Sequence, residues 1–241
     1  MLKIFHLILN LIEFGYKKKI NRILKNYLPN NINIFFDIGA HHGETTIDMV
    51  KNFKIDNIYL FEPNLKNFNT LKKNLSKKNF HSKIYLNNFA LGLENKKSTI
   101  NEVLESSSST LNKININTDY YKRKKKILNF FSRDAKIAQS EIIVKSFKEF
   151  INLNNIAKID FIKIDTEGYE YKILKNIENH LMNVGMIQFE HHYDLMILKE
   201  YNFRDMNNLL INNNFKQIFK SKMKFRKSFE YIYINKEFSF E

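Results

Sequence analysis

The chain has 241 residues, 44% hydrophobic and 27% charged, which is enough for one α/β domain with a full core. It holds no cysteine, which excludes disulfides and thiolate metal sites and fits a reducing cytoplasm. A formal charge of +14 calls for an anionic partner (phosphorylated small molecule, acidic lipid or nucleic acid), although a chain so rich in Lys, Asn, Ile and Phe also carries charge through composition alone.

Residues 1–14, MLKIFHLILNLIEF, are apolar but too short to span a bilayer, and they lack a small-residue cleavage site. Residues 1–31 read as an N-terminal amphipathic helical segment on a domain of residues 32–241. Lys17, Lys18, Lys19 and Arg22 would also let this segment touch a membrane surface, so the expected location is the cytoplasm, including the inner face of the membrane.

From there apolar runs alternate with amphipathic stretches, the rhythm of βαβ units and a parallel sheet. Strands are expected over 32–38, 58–61 and 84–89, with helices over 44–53 and 65–75; the second helix shows the stripe Leu65, Phe68, Leu71, Leu75. Residues 92–140 change character. A hairpin around 94–97, the tract SSSST (106–110) and the basic run YYKRKKK (120–126) read as an irregular insertion or lid. Order returns with a strand over 142–144, a helix over 147–153, a strand over 161–165, a helix over 169–181 and a strand over 185–190. Residues 195–212 are expected to be mainly helical, and the tail reads as two antiparallel strands around a basic turn.

The stretch FFDIGAHHGET sets two of the six glycines, Gly39 and Gly43, around His41 and His42 at the end of the first strand. Open α/β sheets bind ligands there. Gly39 can take a positive φ and lets a ligand lie against the backbone, and Gly43 lets the next helix start close to that ligand. The spacing is not the G-x-G-x-x-G of dinucleotide sites, which weakens a nicotinamide or flavin reading, and no Gly-Lys-Ser/Thr follows to make a Walker loop. Glu62, 25 positions after Asp37, stands at the tip of the second strand in YLFEP and can accept both hydroxyls of an adenosine ribose. The fourth strand leaves as DFIKIDTEGYE (160–170), crowding Lys163, Asp165, Glu167 and Glu170 around Gly168. A Lys163 ion pair and acidic capping of the next helix explain part of that crowding, and a functional role the rest.

In order and spacing, DIGAHHGET, YLFEP, NNFALG (87–92) and KIDTEGYE resemble the FkbM family of S-adenosylmethionine-dependent methyltransferases over about residues 32–195. The resemblance implies an α/β, Rossmann-like class I methyltransferase fold, with a mostly parallel seven-stranded sheet and an antiparallel C-terminal hairpin. It implies O-methylation of sugars, polyketides or surface glycoconjugates. By position, Asp37, Gly39, Ala40, His41, Gly43 and Thr45 would line the methionine end of the cofactor. Glu62 and Pro63 would meet its ribose, Asn88 and Ala90 would flank the adenine, and Asp165 and Glu167 would face the transfer site. The family usually has a pair such as Asn-Ile where this chain has His41-His42, so the role of these side chains is open, and at least one is expected to contribute only backbone.

Methyl transfer from a sulfonium is an in-line displacement in which the protein orients the acceptor and manages its proton. A sugar hydroxyl is a weak nucleophile, so a base or a metal ion should assist. Glu190, His191, His192 and Asp194 follow MIQF at the end of the fifth strand, where alternation would send Glu190 and His192 to one face and His191 to the other. The catalytic candidates are therefore Lys163, Asp165, Glu167, Glu190, His191 and His192. Asp165, Glu190 and His192 could hold Mg or Mn, or one histidine could act as base without metal. The expected acceptor is an anionic sugar or nucleotide-sugar, met by the basic run 122–126, by Lys163, and by Lys220, Lys222, Lys224 and Arg226 in the tail. Acids at KIDTEGYE disfavour nucleic acid as acceptor, and the intact glycine loop disfavours a non-catalytic interaction protein.

Overall fold

The computed structural model describes residues 15, 17–102, 109–131, 138–222 and 227–240. The apolar segment 1–14 and the tail residues Lys224 and Arg226 lie outside the described residues. Among the described residues no helix is long and apolar enough to cross a membrane.

The first half runs α1 (17–27), β1 (Asn31–Ile38), α2 (Glu44–Asn52), β2 (Lys54–Phe61), α3 (Leu65–Ser76) and β3 (Lys83–Asn87). Then come β4 (Ala90–Gly92), β5 (Lys96–Glu102), β6 (Ser109–Thr110), α4 (Asp119–Phe131) and β7 (Ala138–Ser146). The remainder is α5 (Phe147–Leu153), β8 (Ile159–Ile164), α6 (Glu170–Asn176), a 3₁₀ turn (Glu178–Asn183), β9 (Val184–His192), α7 (Phe203–Asn212), β10 (Phe215–Lys222) and β11 (Ser228–Asn235).

β1 carries apolar residues on both of its faces, as at Ile34–Phe36, because both faces are covered. Phe35 turns toward Leu24, Met49 and Leu71 of α1, α2 and α3, while Phe36 turns toward Phe147, Leu174 and Leu210 of α5, α6 and α7. Local signals set the helix starts: Asn64 accepts from the Lys66 and Asn67 N–H groups ahead of α3, and Ser146 caps α5. The main sheet has the order β10-β11-β9-β8-β1-β2-β3. Pairing is parallel from β9 through β8, β1 and β2 to β3, and β11 lies antiparallel to both β9 and β10. Strand order reverses between β1 and β8, which opens a crevice beyond their carboxyl ends.

Three expectations need correction. The described residues of 92–140 are not irregular: with β4 and the rest of β7 they build a second sheet of order β4-β7-β5-β6, while 103–108, which take in most of the SSSST tract, and 132–137 lie outside the described residues. No hairpin forms around 94–97, because β7 lies between the two candidate strands, with Val144 flanked by Ala90 on one side and Lys96 on the other. The basic run 120–126 is helical, with Tyr121 packed on Met196 and Ile197. Residues 195–202 are not helical, since the Leu198 N–H donates to the Lys113 carbonyl and the Met196 carbonyl accepts from Asn115, so this backbone pairs with the insertion. The helix expected over 169–181 stops at Asn176, whose side chain accepts from Lys148 N–H and donates to the Leu93 carbonyl; a 3₁₀ turn then buries Leu181.

Candidate active site

A cleft of about 660 Å³, counted out to its opening on solvent, lies beyond the carboxyl ends of β1, β2 and β8. Gly39 and His41 reach it from β1, Glu62 and Pro63 from β2, and Asp165 and Glu167 from β8. Ala90 and Leu91 of β4, with Ile100 and Leu111 of the insertion, complete its lining.

Gly39 has φ 83°, and a Cβ there would fall 1.9 Å from the Asp165 carbonyl oxygen. The glycine is therefore required by contact between the β1 and β8 exits, sealed by the Asp165 N–H donating to the Ile38 carbonyl at 2.9 Å. Gly43, φ 88°, starts α2, and its missing Cβ makes room for Leu71 rather than for a ligand. Neither Gly43 nor Ala40, Thr45 or Asn88 lines the cleft. Asn88 instead donates its amide to the Glu62 and Pro63 carbonyls and braces the β2 exit. Asp37 lies fully buried off the cleft lining and accepts from the Thr46 hydroxyl at 2.7 Å.

Glu62 is buried and accepts from the His41 and Asn64 N–H groups, one to each oxygen and both at 2.9 Å. Burial outweighs these bonds and pushes its carboxyl up to about 7. The Asn67 side chain bonds the same carboxylate, so of its roughly four lone-pair sites one is left for a further donor. His41 and His42 stack with ring centroids 3.6 Å apart, both turned toward Glu44.

At the β8 end, Lys163 is buried and pairs with Asp165 at 3.0 Å. Burial works against its charge, but Asp165, Asp37 and Glu230 outweigh it and raise the ammonium above its ordinary value. Lys163 is thus neutralised inside the domain and is not a surface cation awaiting an acceptor. Glu230 escaped the sequence reading; it sits opposite Glu190 in the β9–β11 ladder and accepts from Gln188 at 2.7 Å. Burial, reinforced by Glu190, lifts its carboxyl to about 7.

β9 persists through His192, and alternation separates the two histidines. His192 is buried, with Nε2 3.0 Å from Glu167 and 3.4 Å from Glu190, and Nδ1 3.4 Å from Asp194. Burial opposes its charge, but Glu167, Asp194 and Glu190 together hold the imidazolium well above the usual value. His191 faces the other way, edge-on to Tyr193, Tyr201 and Phe203. Burial, then Lys199 and His192, push it down to about 3, so it is a neutral packing residue off the cleft lining. Asp165 does not join Glu190 and His192 in a metal-binding group. Among the described residues, one set of three His, Asp or Glu brings its ligand atoms within 4.8 Å of one another: His41, His42 and Glu44.

The loop carrying Glu167 is tightly held. Glu167 and Gly168 take φ 51° and 97°, and buried Glu170 accepts from the Thr166 and Gly168 N–H groups. From the insertion, the Thr110 hydroxyl donates to the Glu167 carbonyl and the Asn112 amide to the Gly168 carbonyl, each at 2.7 Å. Sequence reasoning missed both clamps, because neither residue carries a motif.

A family profile for the methyltransferase FkbM domain matches residues 37–217. The chain belongs to the FkbM methyltransferase family. Among solved structures this FkbM chain is similar to the methyltransferase FkbM of Methylobacillus flagellatus KT, with TM-score 0.52 and 14% identity over 84% of this chain and 44% of that one. It therefore spans less than half the length of that protein. It is also similar to magnesium protoporphyrin IX methyltransferase of Synechocystis PCC 6803, solved with bound S-adenosylmethionine, with TM-score 0.53 and 7% identity over 94% and 81% of the two chains. Identities this low show a shared fold, the class I α/β fold with its antiparallel C-terminal hairpin. No curated protein matches the chain.

Proposed function

We propose that this FkbM-family methyltransferase uses S-adenosylmethionine to methylate a hydroxyl of a sugar or nucleotide-sugar in surface-polysaccharide or glycoconjugate biosynthesis. The observation carrying this reading is that Glu62 and Glu167 line one cleft, Glu62 at the exit of β2 and Glu167 at the exit of β8. An adenosine-bearing cofactor suits that cleft: Phe61, Ala90, Leu91 and Ile100 offer apolar surface, and Glu62 keeps acceptor capacity for a ribose hydroxyl. When bound, the cofactor supplies a methyl group on a sulfonium that an acceptor oxygen can displace in line.

The geometry supports the following roles. Glu62 takes the ribose and the Gly39–His41 turn the methionine end. Asp165 and Glu167 receive the acceptor hydroxyl, and one of these carboxylates takes its proton. His192, whose imidazolium the surrounding acids favour, is a positioning residue that holds Glu167, and Lys163 holds Asp165 in the same way. The acids around this end repel phosphate, which argues against a nucleic-acid acceptor at the transfer site. A nucleotide-sugar can keep its diphosphate away from them, on the exposed Lys122, Arg123, Lys125 and Lys126 of α4.

The test is a mass-spectrometric screen of nucleotide-sugars and glycan fragments with S-adenosylmethionine. The expected result is one added methyl on a hydroxylated sugar, lost in Glu62→Ala through cofactor binding and in Asp165→Ala through turnover. Methylation of RNA with every sugar untouched would overturn the assignment.

A further inference from the structure

We infer that His41, His42 and Glu44 form a binding site for one transition-metal dication of the zinc and cobalt class at the start of α2. The site goes beyond methyl transfer and does not depend on it.

Neighbouring side chains in an extended chain point apart, yet these two imidazoles stack 3.6 Å apart at 26°. The backbone causes this: Gly39, His41 and Gly43 all take positive φ, of 83°, 49° and 88°, so the turn folds tightly enough to bring consecutive rings together. Both Nδ1 atoms face a single oxygen, Glu44 Oε1, at 3.3 Å from His41 and 3.7 Å from His42. Glu44 Oε2 accepts from the His42 N–H at 3.2 Å, which fixes the carboxylate with its other oxygen toward the rings. The His42 carbonyl in turn accepts from the Asn74 amide at 3.0 Å, which anchors the turn to α3.

The spacing fits an ion. Zinc ligands bind at about 2.0–2.2 Å, so tetrahedral neighbours stand roughly 3.3–3.6 Å apart. The two nitrogen-to-oxygen separations are already close to that range, and all three ligand atoms lie within 4.8 Å of one another. Two imidazole nitrogens with one carboxylate oxygen favour zinc, cobalt or nickel over magnesium or calcium, which prefer oxygen alone. Three protein ligands leave a fourth position for water or a small molecule. The three side chains are 26%, 29% and 51% exposed, so an ion can reach them from solvent. His41 lines the cleft but His42 and Glu44 do not, which places the site beside the cofactor rather than in its place.

The experiment titrates the full chain, stripped with chelator, with zinc chloride in a calorimeter and records the visible absorption of the cobalt-loaded form. The expected result is one zinc per chain, with affinity at least tenfold weaker in both His42→Ala and Glu44→Gln, and a cobalt band lost in His42→Ala. S-adenosylhomocysteine binding and the melting temperature, measured on the same His42→Ala sample, should stay near wild type and show that the fold survives. Absence of saturable zinc binding would overturn the site, as would binding unchanged in a folded His41→Ala/His42→Ala double variant. Failure to find a methyl acceptor would leave both readouts untouched.

Discussion

The backbone N–H of His41 donates to Glu62 Oε2 at 2.9 Å, so the exit of β1 holds the acid at the exit of β2. Burial pushes that acid up to about 7, far above an ordinary glutamate. Ribose hydroxyls bind best to the ionised form, so S-adenosylhomocysteine affinity should rise as pH passes upward through about 7 and fall as the carboxyl protonates below it. Calorimetry at pH 6 and pH 8 should show this in wild type, with a flat response in Glu62→Gln. Glu62→Ala should bind roughly ten- to a hundredfold more weakly, the worth of a hydrogen bond to a charged group.

Gly39 and Gly43 share positive φ but differ in what a methyl group would meet. At Gly39 it meets the Asp165 backbone carbonyl at 1.9 Å, and at Gly43 the tip of the Leu71 side chain at 2.9 Å. Backbone cannot give way as a leucine methyl can. Gly39→Ala should therefore cost about 3 kcal/mol or more, melting roughly 6–12 °C lower, and Gly43→Ala clearly less. Differential scanning fluorimetry of the pair checks the order; equal losses would contradict it.

His192 should carry its proton at neutral pH while His191 should not. With the folded value raised above the unfolded 6.5, the stabilisation from His192 is complete below that pH and is lost as pH climbs through the raised value. Nitrogen chemical shifts of the two rings at pH 7.5 decide the matter. A neutral His192 would remove the argument that it positions Glu167 and return it to the list of bases.

Charge reversal on α4 should separate acceptor from cofactor. Lys122, Arg123, Lys125 and Lys126 are all exposed and lie outside the cleft lining. Changing all four to Glu should raise KM for a nucleotide-sugar by roughly tenfold at low salt and much less at high salt, with S-adenosylhomocysteine affinity unchanged. Unaltered KM would detach α4 from the acceptor.

What the sequence shows of this protein is what local pattern encodes. β1 is legible because consecutive apolar residues, Ile34–Phe36, mark a strand covered on both faces, and α5 is legible to the residue because Ser146 caps it. The insertion is opaque because its ladders join distant residues such as Lys96 and Val144. Glu62, Asp165 and Glu167 are readable as strand-end acids. Glu230 is not, because only the placement of β11 beside β9 brings it to Glu190. Likewise the two glycines are visible, but not that steric need, rather than ligand contact, demands them.

The insertion also supplies the last prediction. Thr110 is buried and its hydroxyl donates to the Glu167 carbonyl at 2.7 Å, at a residue holding the strained φ of 51°. Thr110→Val keeps the shape but leaves that carbonyl without its donor and the Asn112 N–H without its acceptor, a loss of about 1–3 kcal/mol for each buried group. Part of this loss should appear as relaxation of the loop rather than as unfolding, because Asn112 and Glu170 still hold Gly168. The Glu167 carboxylate would then swing from its place beside His192. The expected signature is kcat down by tenfold or more with S-adenosylhomocysteine affinity within about twofold of wild type, since Glu62 on the far strand is untouched. A Thr110→Ser variant, which restores the hydroxyl, should recover most of the turnover. Equal loss in Thr110→Val and Thr110→Ser would mean that the methyl group packs rather than that the hydroxyl positions, and the second sheet would be a wall of the cleft without a hand in the transfer.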